Sequence, residues 1–104
     1  MPPLPKVVFE CRQHADGYDF IFKTGFALTG LPRYFISAYC EVEWRKRAER
    51  WDLVREWLIS KGHEHEFHGH GFTQPGSRLL AECCNKVSDC KAHAWQWRAW
   101  GESK

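Results

Sequence analysis

The sequence predicts a small α+β fold, in which a short antiparallel sheet of an N-terminal hairpin plus one or two further strands is packed by two helices. Two observations predict this class. Two β-type runs flank an Asp-Gly turn, and helical periodicity governs two later stretches, of which the C-terminal one is long and amphipathic. With 104 residues, 43% of them apolar and 15% aromatic, the chain has the size and composition of a single domain, residues 1–104.

The hairpin is predicted by two runs rich in β-branched and aromatic side chains, residues 6–13 and 18–23. Between them, Asp16 and Gly17 form the dipeptide that supplies positive φ angles in tight turns. Residues 24–32 contain two glycines and a proline, so we expect an irregular connection there.

Residues 33–43 fit a strand better than a helix. Every second position on one face is apolar, namely Ile36, Ala38, Cys40 and Val42. At helical spacing, the apolar residues of this stretch scatter around the whole circumference. Pro32 would nevertheless suit the first turn of a long helix. We predict a strand and leave the helix open as the alternative.

Helical spacing begins at residue 44 and continues to residue 61. The apolar residues spaced by three or four positions are Trp44, Ala48, Trp51, Val54 and Leu58. Gly62 is placed to end this helix. Leu53 and Trp57 fall on the opposite side, so the helix is either covered on two faces or offers one face to a partner.

The last helix, about residues 78–100, follows Ser77, which is a suitable N-cap. Its apolar arc, on which we expect burial, holds Leu79, Leu80, Cys83, Cys84, Val87, Cys90, Ala94, Trp95 and Trp97. Trp100 lies off this arc. It either folds back over the sheet or meets a partner, because few residues remain near it to cover its ring.

The cysteines and the hydropathy pattern predict a protein of the reducing cytoplasm. Five cysteines cannot all pair within one chain, and their spacing matches no disulfide framework. Residues 1–5 show no secretory signal, and no stretch approaches the ~18 consecutive apolar residues of a membrane-spanning helix. We therefore expect no membrane contact.

No catalytic motif is present in the sequence. A glycine-rich phosphate loop, a nucleophile elbow and a paired-carboxylate motif are all missing, and the cysteines lie in no recognisable nucleophile signature. We predict that the protein is not an enzyme, has no catalytic residues and needs no cofactor.

A run of histidines raises a metal site as one hypothesis, with candidate ligands His63, His65, His68 and His70. On a strand the first two would face away from the last two, which argues against one four-histidine cage. The spacing is also one residue short of the helical zincin pattern. We favour solvated histidines over a metal site and rank metal binding third among the functions.

A basic run raises nucleic acid as the second hypothesis. Lys46, Arg47 and Arg50 share one side of the predicted helix, and clustered cations neutralise phosphates. Glutamates three or four residues away are placed to pair with the arginines, and the formal net charge is only +2. A modest basic patch remains.

Protein binding is the leading hypothesis. Six tryptophans in so short a chain exceed what one core needs, and tryptophan is typical of interface hot spots. We predict a small non-enzymatic module that binds another protein or protein complex, with the contact residues Trp57, Trp100, Lys46, Arg47 and Arg50. One concrete version is a phage or mobile-element inhibitor of a host complex, similar in profile, though not in any motif, to anti-CRISPR proteins.

Overall fold

The structure, a computed structural model, describes residues 1–63 and 75–103. The chain forms three strands, β1 (Val8–His14), β2 (Gly17–Phe22) and β3 (Ala27–Leu31), followed by two helices, α1 (Arg33–Ser60) and α2 (Pro75–Glu102). The strands form one antiparallel sheet in the order β1-β2-β3. The predicted α+β class is confirmed.

The chain divides into two compact units. The first comprises Met1–Trp44 and Ala92–Lys104, and it therefore holds the sheet, the beginning of α1 and the end of α2. The second comprises Arg45–Lys91. The single domain expected from the sequence stays a prediction.

The N-terminal hairpin is confirmed. β1 and β2 pair from Val8 opposite Phe22 to His14 opposite Gly17. Gly17 has a φ of 131°, and a Cβ at this position would lie 2.7 Å from the backbone oxygen of Leu31. The turn therefore requires glycine both for its backbone angle and for the close approach of β3.

The third strand is β3, so the prediction of an irregular connection over residues 24–32 is wrong. Gly25, at a φ of 93°, lies in the turn between β2 and β3, and the Phe22 N–H donates to the Phe26 carbonyl across it at 2.8 Å. Gly30, at a φ of 66°, lies within β3, whose pairing with β2 is irregular between Tyr18 and Phe20. Glycine here marks an irregular strand rather than a loop.

Residues 33–43 form the start of α1, so the prediction of a strand there is wrong and the helical alternative is correct. The Pro32 carbonyl accepts hydrogen bonds from the N–H groups of Phe35 and Ile36, at 3.1 and 3.3 Å, which makes Pro32 the N-cap residue directly before the helix. The apolar residues do scatter around this helix, as expected, because it is covered on more than one side and also leaves Tyr34 75% exposed.

An aromatic cluster joins the beginning of α1 to the sheet. Tyr39 contacts the rings of Phe20 and Phe22 edge to face, with centroids 5.7 and 5.9 Å apart, and stacks on Phe35 one helical turn away. Phe20 is fully buried. The core face of β2 is thus filled by aromatic contacts of the kind that stabilise a small sheet.

α1 ends as predicted at a glycine. Gly62 has a φ of 88°, and its N–H donates to the Ile59 carbonyl at 3.0 Å, while the N–H of His63 donates to the Leu58 carbonyl at 3.2 Å. This is the Schellman pattern of helix termination. In the same unit, Leu58 is part of a small core with Leu80, Cys83, Trp51 and Cys84.

α2 is confirmed as a long helix that buries one side, although it begins earlier than predicted. The buried residues recur every three or four positions and form one seam: Leu80, Cys83, Val87, Cys90, Ala94 and Trp97. The predicted arc was too wide, because Trp95 is 60% exposed and Leu79 39% exposed. Trp95 adjoins the seam without belonging to it, so its predicted burial is wrong.

The two ends of the first unit are tied together by one backbone carbonyl. The Pro3 oxygen accepts hydrogen bonds from the indole N–H groups of Trp44 and Trp97, at 3.0 and 2.6 Å. Nearby, the Ser37 hydroxyl donates to the Trp97 carbonyl at 2.9 Å. Ser37 also lies against Gly101, where a Cβ would overlap the serine side chain, so α1 and α2 approach closely at this point.

Candidate functional site

The solvent side of α1 carries a continuous row of large side chains that the core does not use. Lys46, Arg50, Leu53 and Trp57 follow one another at intervals of four, three and four residues, which places them on one face of the helix. Leu53 is 66% exposed and Trp57 58% exposed. We refer to these four residues as the outer stripe; it lies entirely in the second unit.

Beside the outer stripe lies an open groove of about 680 Å³. The described residues that line it are Arg47, Arg50, Trp51, Leu53 and Val54. Trp51, half-buried, also packs against the small core around Leu58, so its ring joins the groove to the interior. The groove therefore combines three apolar side chains with two guanidinium groups, a combination typical of sites that bind an apolar anchor beside a carboxylate.

The two arginines of the groove form no ion pair with an acidic side chain among the described residues. Within residues 1–63 and 75–103, Arg50 is paired with no acidic side chain. The nearby Asp52 carboxylate is instead held by Arg55 at 2.6 Å, on a neighbouring turn. The side chain of Arg47 reaches the thiol of Cys90 on α2, and this contact opposes the rise that burial causes in the pKa of that thiol. A carboxylate would suit both guanidiniums better than these surroundings do.

Trp57 is the last residue of the outer stripe in the direction of the chain. The Lys61 ammonium lies 5.6 Å from the centroid of its ring, within the range of a cation–π contact. The ring is more than half exposed despite this contact. Of the residues predicted to bind a partner, the structure thus brings Trp57, Lys46 and Arg50 onto one face and sets Arg47 beside them.

Trp100, the fifth predicted contact residue, lies elsewhere. Its ring meets Tyr18 of β2 edge to face at 5.6 Å, and the Arg33 guanidinium lies 3.9 Å from its centroid. Arg33 also donates to the Trp100 carbonyl from Nε and Nη2, at 3.1 and 2.7 Å. Of the two alternatives, Trp100 folds back over the sheet, where it closes the end of α2. Its binding of a partner stays a prediction.

The predicted metal ligands fall mostly beyond the described part of the chain. His65, His68 and His70 lie outside the described residues. His63 is described and half-buried, and its imidazole packs against Gly76 at the start of α2 so closely that a Cβ there would overlap it. Within the described residues, no three potential ligands form a metal-binding group.

The cysteine thiols have the chemistry of core residues. All five are free. Burial, followed by the neighbouring Asp19 carboxylate, raises the pKa of the Cys11 thiol to about 11, and burial likewise raises the pKa of Cys40 well above its ordinary range. A neutral thiol is a poor nucleophile and a poor metal ligand, so neither cysteine is prepared for such a role near pH 7.

The raised pKa of Cys11 gives a testable dependence of stability on pH. The unfolded chain releases this proton from about pH 9 upwards, whereas the folded chain holds it until about pH 11. The stability that the neutral Cys11 thiol gives the folded protein is therefore fully present below pH 9, and it is lost as the pH rises towards 11. We expect the free energy of unfolding, from urea titrations between pH 8 and 11, to fall less steeply in Cys11→Ala than in the parent protein. Equal slopes would contradict this assignment.

Sequence reasoning recognised that Leu53 lies opposite the core but did not include it, or Val54, among the contact residues. The signal was available: Leu53 lies at helical spacing from both Arg50 and Trp57. Val54 was instead assigned to the core side of α1, and it is 40% exposed. A residue at the edge of the apolar side of a helix can be either buried or exposed to solvent. Only the packing of the folded chain determines which of the two it is.

Comparisons with known proteins identify no relative: no family model, curated protein or solved structure matches the chain. Among the described residues, neither helix combines the length and the apolar character that crossing a membrane requires.

Proposed function

We propose that this protein is a small non-enzymatic binding module that acts by contacting another protein through the outer stripe and the groove beside it. The observation that carries the proposal is the adjacent pair Leu53 and Trp57, each more than half exposed on the solvent side of a helix whose other side is buried. Removing a leucine side chain from water contributes about 1.5–3 kcal/mol before the costs of association are subtracted, and a tryptophan ring has a still larger area to bury. A partner that covers both would use them as hot spots.

The arrangement of the surrounding charges supports a protein partner. Arg47 and Arg50 line the groove together with Trp51, Leu53 and Val54, so apolar and cationic side chains share one surface. Protein interfaces commonly combine an apolar core with a polar rim, and tryptophan and arginine are enriched in them. A phosphate backbone would use the cations but leave Leu53 and Val54 without a complementary surface.

The experiment that tests the proposal compares two tryptophans with the same exposure. Trp57 and Trp95 are 58% and 60% exposed, and each has a cation near its ring, Lys61 at 5.6 Å and Arg98 at 5.5 Å. Affinity capture from cells of the native host, using the full chain, is expected to recover a protein partner with the parent and with Trp95→Ala. Recovery is expected to fall on the order of tenfold or more with Trp57→Ala, as for other hot spots.

Two results would contradict the proposal. Equal recovery with Trp57→Ala and with the parent would remove Trp57 as an anchor, and loss of recovery only with Trp95→Ala would move the binding surface to α2. If nuclease treatment of the lysate abolished recovery, the partner would be bound through nucleic acid, and our second hypothesis would replace the first. Circular dichroism of each variant checks that the fold is retained.

Inhibition of a host complex by a phage or mobile-element protein, in the manner of anti-CRISPR proteins, is kept as the narrower form of the proposal. It is supported by the small size and by a binding surface built on a single helix. It predicts that the captured partner is a subunit of a larger complex and that adding the purified protein lowers the activity of that complex. Trp57→Ala should weaken the inhibition in proportion to the binding.

A further inference from the structure

We infer that the segment bound by the outer stripe and the groove is an acidic amphipathic helix of the partner. This inference rests on the proposed function and adds the chemistry of the partner. An amphipathic helix places apolar residues at intervals of three and four, which is the spacing of Arg50, Leu53 and Trp57 along α1. Such a segment can lie along α1 with its apolar side on Leu53 and Trp57.

The charges of the groove select acidic residues on the side of that segment that faces it. Arg47 and Arg50 are the charged residues among the described groove lining. Glu49 and Glu56 are exposed beside the apolar pair but are not among that lining, and the Asp52 carboxylate is held by Arg55. Carboxylates can bind a guanidinium in bidentate geometry, and they gain most at an arginine such as Arg50, which forms no ion pair with any acidic side chain in the described part of the chain.

The groove selects an apolar anchor within the segment. Its walls are apolar at Trp51, Leu53 and Val54, and its volume of about 680 Å³ has room for more than one large side chain. A leucine or phenylalanine of the partner would insert there, and its acidic neighbours one turn away would reach Arg47 and Arg50. Apolar contacts supply most of the affinity, while the charges fix register and discriminate against basic partners.

The test uses a defined probe. A library of soluble peptides of about 15 residues, randomised within a helix-favouring background, is selected against the immobilised full chain. We expect enrichment of peptides in which leucine or aromatic residues recur at intervals of three or four and are flanked by Asp or Glu. A selected peptide should bind Arg47→Glu/Arg50→Glu at least on the order of tenfold more weakly than the parent, whereas Arg47→Lys/Arg50→Lys should retain much of the affinity.

Binding of the selected peptide should also weaken with added salt, because these arginines are close to the surface and their charges are screened. Enrichment of basic or uncharged peptides, of extended rather than helical ones, or of none, would overturn the inference. So would unchanged affinity in the charge-reversed variant. If labelled DNA bound the parent and lost binding in that variant while no acidic peptide was enriched, the surface would be a nucleic-acid site.

Failure of this inference can be told apart from failure of the proposed function. A host partner that is lost with Trp57→Ala but competed by no acidic peptide would leave the proposed function standing and remove only the acidic helix. Enriched acidic peptides that do not need Trp57 would retain the chemistry of the groove and reject the outer stripe as the hot spot. Each binding measurement uses the full chain, and circular dichroism confirms that every variant is folded.

Discussion

Trp97→Ala is expected to lower the free energy of unfolding by about 3–5 kcal/mol, the range typical of a fully buried tryptophan replaced by alanine. Trp97 has no exposed surface, and its ring contacts Trp100 edge to face at 5.2 Å. Its indole N–H also donates to the Pro3 carbonyl at 2.6 Å. The substitution removes the largest fully buried side chain among the described residues and leaves a cavity. In a domain of this size, such a loss is a large part of the total stability.

The control for this prediction lies two residues earlier on the same helix. Trp95→Ala removes an equally large side chain that is 60% exposed, and we expect a change within about 0.5 kcal/mol. Trp97→Phe should fall between the two, because it keeps a ring and removes the donor together with its bond. The Pro3 carbonyl would still accept the hydrogen bond from the Trp44 indole N–H, so it would not be left without a donor. Urea unfolding followed by circular dichroism gives all three values; equal losses for Trp95→Ala and Trp97→Ala would contradict the placement of the seam.

Gly101→Ala is expected to destabilise the protein by about 1–3 kcal/mol, although alanine is the better helix former by about 1 kcal/mol. A Cβ at position 101 would overlap both the Oγ and the Cβ of Ser37. Rotating the serine side chain moves its Oγ but leaves its Cβ in place, so the clash can be relieved only if α1 and α2 separate. Separation would also strain the hydrogen bond from Ser37 to the Trp97 carbonyl.

A double-mutant cycle isolates this contact. Ser37→Gly removes the overlapping atoms, so Gly101→Ala should cost less stability in the Ser37→Gly background than in the parent, with a coupling of about 0.5–3 kcal/mol. Additive effects at positions 37 and 101 would show that the two helices do not meet there. Thermal unfolding of the four proteins of the cycle measures the coupling.

The parts of the fold that were predicted correctly are those in which local chemistry and tertiary contacts agree. The Asp16-Gly17 turn needs a glycine at positive φ wherever the hairpin lies, and α2 repeats its buried residues with a regular helical period. In both, a short window of sequence contains the signal. Tertiary structure then only confirms what the local pattern requires.

The parts that were predicted wrongly are those that depend on which surfaces meet. In residues 33–43, Tyr39 packs on the sheet while Ile36 and Cys40 are buried within the same unit, so no single apolar face shows the helical period. In β3, Gly30 gives the sequence the composition of a loop while the strand still pairs with β2. Neither pattern can be recognised without knowing the neighbouring element.

The candidate site was predicted in part for the same reason. Trp57, Lys46, Arg47 and Arg50 come from one helix, and their common side follows from spacing alone. The groove does not, because it requires Val54 to face outwards and Trp51 to bridge between the groove and the core. The position of Trp100 depends on Arg33, which is 67 residues away in the sequence.

The Pro3 carbonyl accepts hydrogen bonds from both Trp44 and Trp97, and this affects the order in which the protein folds during its synthesis. The hairpin and β3 can pair once residues 8–31 have left the ribosome, since the strand pairing involves only these residues. Pro3 must wait for Trp97, 94 positions later, and the sheet must wait for Trp100. Until the ribosome has made the last turns of α2, the nascent sheet therefore lacks that cover, and its exposed aromatic rings are then most open to chaperones or to misassembly.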